Sequence, residues 1–202
     1  MNFKKIHIII FTIMLVSTSY GKVSGKTDTT LYKVFLPNYV KLQYAGGIGF
    51  MSLGVGYTFL KNKIDATMFY GYVPEAFTID NLHSISLQLT GKFLKFKLND
   101  KIEVLPLNFG WYAHHTFGHE YWITLPEHYP EEYYWWSPGR NAGVFLGVEI
   151  KTKFLANNTP ASGTAFYIRV GSRGLYLSSI WGNSTIPVKD IIELGFGLAI
   201  YR

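Results

Sequence analysis

Eight stretches of this 202-residue chain alternate apolar residues with small or polar ones at a period of two. That period belongs to strands whose two faces meet different surroundings. In residues 49–60, Leu53, Val55, Tyr57 and Phe59 oppose Ser52, Gly54, Gly56 and Thr58. The same reading holds over residues 39–45, 64–73, 83–94, 101–115, 141–154, 163–171 and 190–202. Turn signals separate them: Gly46-Gly47, Lys61-Asn62-Lys63, Asn99-Asp100 and Asn157-Asn158-Thr159-Pro160. Pro106 cannot donate to a sheet ladder, so a bulge is expected there. No helical repeat is visible. Many strands of roughly ten residues in regular succession point to an all-β barrel or sandwich.

Alternation does not say which face is outside; the composition of the second face does. It carries Gly54, Gly56, Gly71, Gly110, Gly143, Gly147, Gly195 and Gly197 among Ser, Thr and a few charges. A water-facing surface would be richer in Lys, Glu and Arg, whereas a narrow barrel interior needs small residues and paired polar ones. The apolar face includes Tyr57, Phe59, Tyr70, Tyr72, Phe93 and Trp111, as an aromatic girdle would. The expected fold is an antiparallel up-and-down transmembrane β-barrel of eight strands with one long extracellular loop. Residues 31–36 and 175–181 would supply the extra strands of a ten-strand alternative, and a soluble lipocalin-like periplasmic barrel is the other.

The N-terminus reads as an export signal. Lys4 and Lys5 precede an apolar run, residues 6–16, and the small residues Ser17, Thr18, Ser19 and Gly21 follow. Residues 1–21 are therefore expected to be a signal peptide, residues 22–38 a periplasmic lead-in and residues 39–202 the barrel. The chain has no cysteine, which excludes both disulfides and a lipoprotein anchor. The formal charge is +6, but the basic residues form no stripe, so nucleic acid is not an expected partner.

This pattern, from Tyr39 to Arg202, resembles the small eight-stranded outer-membrane barrels of Gram-negative bacteria. The resemblance is architectural. It implies location in the bacterial outer membrane, contact with its lipid and lipopolysaccharide, insertion by the barrel-assembly machinery and a monomeric state.

Several constellations could carry chemistry. Arg169 on the seventh strand lies between Glu149 on the sixth and Glu193 on the eighth, all on the polar face, and is expected to form an interior ion network with them. A narrow channel through that network is one functional alternative. His114, His119, Glu120 and Ser137 gather around the start and end of the long connection and are the candidates for a lipid-modifying enzyme. Some eight-stranded barrels are lipid A acyltransferases or deacylases, and Arg140-Asn141-Ala142-Gly143 looks like the tail of the deacylase motif. The His and Ser positions of that motif hold Pro138 and Arg140 here. His115 could join His119 and Glu120 on a metal only if the loop turned helically, and the spacing matches no metal motif, so neither metal nor cofactor is expected. The connection 116–140 itself is far longer than structureless loops usually are. Its Tyr121, Trp122, Tyr133, Tyr134, Trp135 and Trp136 form a candidate binding surface for a glycan or lipid, since Tyr and Trp give large rigid contact area. The leading expectation is a non-enzymatic binding or envelope-structural role through that loop.

Overall fold

The computed structural model describes residues 36–118, 121, 137, 139–154, 161–183 and 185–202. The expected signal peptide and all but the end of the lead-in lie outside the described residues. Eight strands form the wall: β1 (Tyr39–Ala45), β2 (Met51–Phe59), β3 (Ile64–Val73), β4 (Leu82–Lys92), β5 (Ile102–Phe117), β6 (Arg140–Lys153), β7 (Gly163–Arg173) and β8 (Glu193–Tyr201). Each pairs antiparallel with the next, and β1 pairs with β8, so the sheet closes on itself. A two-residue strand, Phe96–Lys97, adds to the lower end of β5. The strand ends flanking 46–50, 74–81, 118–139 and 174–192 lie at one end of the barrel, here the upper end, and those flanking 60–63, 93–101 and 154–162 lie at the lower end.

The alternation sets the wall as expected, apolar side outward. Leu53, Leu146 and Leu198 are 45%, 53% and 56% exposed, while Gln43, Ser52 and Thr67 between their strand neighbours are buried. Closure gives each of the eight wall strands a partner on both sides, which removes the long sheet edges. The bulge falls where Pro106 requires it: Leu105 pairs with Glu149 and Asn108 with Gly147, leaving two residues of β5 opposite Val148 alone.

The ten-strand alternative does not form. Residues 175–181 lie inside a helix, α1 (Gly174–Gly182), whose Ser178 and Ser179 hydroxyls both donate to the Leu175 carbonyl. Both β7 edges are already taken, by β6 and β8, so the sheet offers this segment no partner. The second strand of that alternative, residues 31–36, falls almost wholly outside the described residues.

The Gly46-Gly47 turn does more than reverse the chain. Ala45, Gly46 and Gly47 have φ of 56°, 79° and 76°, and the hairpin tip folds down into the barrel rather than away from it. Ile48 becomes fully buried, clustered with Phe69, Tyr112 and Phe145 from the facing walls. Carbonyl groups of the tip find donors on those walls. Arg169 Nη2 donates to Gly46 O at 2.6 Å, Arg173 Nη2 to Gly47 O at 3.2 Å and Ser84 Oγ to Ile48 O at 2.7 Å. The hairpin is thus a plug in the upper lumen.

Gly71 on β3 is where the plug and the wall meet: a Cβ there would collide with the Ile48 carbonyl oxygen and the Ser84 hydroxyl. Gly71→Ala is expected to destabilise the barrel by about 1–3 kcal/mol, the usual range for overpacking. Gly182→Ala, where a Cβ meets nothing within 4 Å, serves as the neutral control. Urea unfolding of the two refolded variants against the parent measures both.

Candidate functional site

The lumen holds two polar clusters, one above the other. In the lower, Lys92 of β4 reaches Asp65 of β3 at 2.6 Å and Glu149 of β6 at 2.7 Å. Lys151 approaches Glu149 at 3.4 Å, and the Tyr201 hydroxyl of β8 donates to Glu149 at 2.6 Å. Period two puts all of these side chains on the inner face, but β4 and β6 are not wall neighbours, so the Lys92–Glu149 pair runs across the lumen. Beside them Lys41 of β1 lies over the rings of Tyr39 and Tyr167, 4.9 and 5.2 Å from their centroids. At the lower mouth Glu103 is clamped by Lys95 and Lys153 at 2.7 and 2.6 Å.

In the upper cluster Arg173 pairs with Glu193 at 2.6 Å, and the Tyr112 hydroxyl donates to the same carboxylate at 2.8 Å. Arg169 lies below, bonded to the plug and to Gln88 Oε1 at 3.0 Å, its guanidinium 4.6 Å from the Phe145 ring centroid and 5.0 Å from that of Tyr112. The expected network of Glu149, Arg169 and Glu193 is therefore corrected. All three enter the lumen, but no carboxylate pairs with Arg169 among the described residues; Glu149 serves the lysines below and Glu193 serves Arg173 above. The reason is register: Arg169 faces Gly147 and Gly195 across its ladders, and the plug carbonyl occupies the space a carboxylate would need. Arg173 was legible only by carrying the alternation of Arg169 and Gly171 two residues further.

His114 points into the upper lumen, where its Nδ1 bonds Ser86 Oγ at 2.7 Å and its Nε2 bonds Thr116 Oγ1 at 2.9 Å. Both nitrogens are engaged and Ser86 is buried, so the pair reads as a satisfied interior contact, with no carboxylate bonded to His114 among the described residues. His115 lies on the opposite face against the Phe117 ring. Ser137 sits at the upper end, its carbonyl accepting the Arg140 amide. His119 and Glu120 lie outside the described residues, so of the catalytic candidates the structure describes only His114 and Ser137. Among the described residues no cluster of three or more His, Asp or Glu could hold a metal ion.

Of the aromatic binding set, Trp122, Tyr133, Tyr134, Trp135 and Trp136 also lie outside the described residues. Tyr121 is described, and it has a definite setting. With Gly118 it forms one wall of a cavity of about 500 Å³ at the upper rim, and Thr78, Ile79, Asp80, Asn81 and Leu82 form the other. That volume suits a small organic ligand. Asn81 is held by the Tyr72 hydroxyl and the Glu75 amide, which fixes that wall. Sequence reasoning missed the 78–82 segment because a short polar loop carries no periodicity. No known protein family matches the chain, and no curated protein matches it.

The lower cluster has a direct consequence for stability. Glu149→Gln leaves Lys92 and Lys151 in the lumen with one carboxylate fewer. Breaking such a buried pair costs about 3–5 kcal/mol. The unfolding midpoint in urea is expected to fall accordingly, while Glu75→Gln on the exposed upper loop leaves it unchanged.

Proposed function

We propose that this chain is a bacterial outer-membrane β-barrel with a sealed lumen, which binds a ligand at its outward rim through residues 116–140 and the cavity beside Tyr121. The observation that carries this reading is the inverted wall. A continuous apolar surface faces outward over all eight strands, while the buried inner face is polar and charged. Water gives no reason for that arrangement; a hydrocarbon solvent does, and it tolerates strands only when they are closed into a barrel, as these eight are. The nine residues of β2 rise at about 3.3 Å each and, tilted by about 40°, climb roughly 23 Å, close to the apolar band of such barrels. At the upper end rings join into a partial girdle. Phe196, Tyr44, Phe50 and Phe77 follow one another at 5.2, 5.0 and 4.6 Å between centroids.

Lipid and lipopolysaccharide are then the surroundings of the wall, and the barrel-assembly machinery the route to it. The plug, the Phe69–Tyr112–Phe145 cluster and Arg169 fill the cross-section, which argues for activity at an end rather than for transport through the middle.

The absence of native cysteine makes topology directly measurable. Ile79→Cys at the upper end is expected to react with a membrane-impermeant maleimide on intact cells, and Asp100→Cys at the lower end only after lysis. The protein should co-fractionate with outer membranes and give no conductance steps in planar bilayers. Recovery in the soluble fraction would end the membrane reading. For the rim, Tyr121→Ala is expected to weaken retention on immobilised glycan or lipopolysaccharide about tenfold, the loss of a single aromatic anchor. Unchanged retention would end the rim-binding reading and leave the location standing.

A further inference from the structure

We infer that the middle of the lumen is a binding site for one small inorganic anion of halide size, held by Lys41, Thr90 and Asn108 beside Arg169. The inference concerns the barrel interior and needs neither the membrane nor the rim.

The charge inventory leads to it. Three cations are almost wholly enclosed, Lys41, Lys92 and Arg169, at 3%, 4% and 2% exposure. Two enclosed carboxylates lie above the lower mouth, Asp65 and Glu149, and both are committed to Lys92. Glu149 also serves Lys151 and Tyr201, and Glu193 above serves Arg173 and Tyr112. No ion pair reaches Lys41 or Arg169 among the described residues. A buried charge is normally paired, because leaving water uncompensated costs several kcal/mol.

These two cations line the same cavity, which lies between the clusters and measures about 20 Å³. That is room for one water-sized or halide-sized particle. The groups around it offer hydrogen-bond donors. The Lys41 ammonium has ring contacts only. The Thr90 hydroxyl accepts from Gln88 Nε2 at 3.3 Å, so its own proton is left to donate. Asn108 is buried with its Oδ1 unbonded; rotating the amide by 180° turns an N–H toward the same place. Arg169 Nε is also buried without a partner. The Tyr167 hydroxyl is directed to Gln43, and both Glu149 oxygens are occupied, so neither competes as donor or acceptor. Glu149 also lines the cavity, but its charge is taken up by Lys92 and Lys151, and the free donors of Lys41, Thr90 and Asn108 under the remaining excess of positive charge select an anion over a neutral water.

The test uses the full barrel refolded in detergent, because an enclosed ion enters during folding. Crystals of protein refolded in sodium bromide are expected to show an anomalous peak in this cavity. Protein refolded in sodium chloride should melt about 3–6 °C higher than in sodium gluconate at equal ionic strength, as for an ion at roughly ten times its dissociation constant. Lys41→Met should abolish the halide dependence. Thr90→Val, which removes one neutral donor, should shift the dependence to higher halide concentration and covers the case in which Lys41→Met does not fold. Equal melting in chloride and gluconate, or bromide found only on the surface, would overturn the inference and make the cavity a water site.

Discussion

Closure of eight strands is the constraint on which the rest of this structure depends. A ring of that size leaves an interior just wide enough for its own side chains. Whatever points inward must therefore be small, or be matched by something on the opposite wall. The glycines of the inner face follow from this. At Gly56 a Cβ would strike the Tyr39 ring, and at Gly110 the Phe145 ring. Each large inner side chain occupies space that a glycine across or beside it gives up. The plug extends the same logic, since the upper lumen still needed a filling and the hairpin tip delivers Ile48 to it.

Much of this architecture was legible because a strand has only two faces. Parity alone placed Lys41, Gln43, Glu149, Arg169 and Glu193 inside and Leu53, Leu146 and Leu198 outside, and the bulge at Pro106 and the turns at 46–47, 61–63 and 99–100 followed from local chemistry. Parity does not say at what height a side chain enters the lumen, and that is where the reading failed. Arg169 and Glu149 share a face and adjoining strands, but the pairing in the folded barrel is decided by contacts across the lumen between β3, β4 and β6. Those depend on the stagger of the whole ring, which no local window contains. The fate of Gly46-Gly47 was hidden for a related reason. A glycine pair announces a turn, but its inward tilt is set by Arg169, Arg173 and Ser84 on distant strands.

The candidate site was less legible than the fold. An aromatic loop has composition but no period, so sequence reasoning could mark Tyr121 without finding the wall opposite it. That wall, Thr78 to Leu82, spans the end of the preceding upper connection and the first residue of β4, and only the pairing of β4 with β5 brings the two together. Conversely, His114 stood out in the sequence beside its neighbour in the chain, His115. In the barrel its neighbours are Ser86 and Thr116. Adjacent strand residues point to opposite faces, so clustering along a strand is poor evidence for clustering in space.

The buried charges bear on why this sequence adopts one register rather than several. An apolar outer wall is indifferent to sliding, because any apolar side chain serves as well as its neighbour against a uniform surrounding. The inner face is not indifferent. Asp65 on β3, Lys92 on β4, Glu149 on β6 and Tyr201 on β8 meet at one point, so they tie together strands from around the ring. A slip of one residue in any of them would turn its side chain outward and strand its partners without compensation. The hydrogen-bond ladders give the barrel its cohesion in every register alike. The polar contacts in the lumen distinguish one register from the next, and they do so at the expense of an easier apolar core.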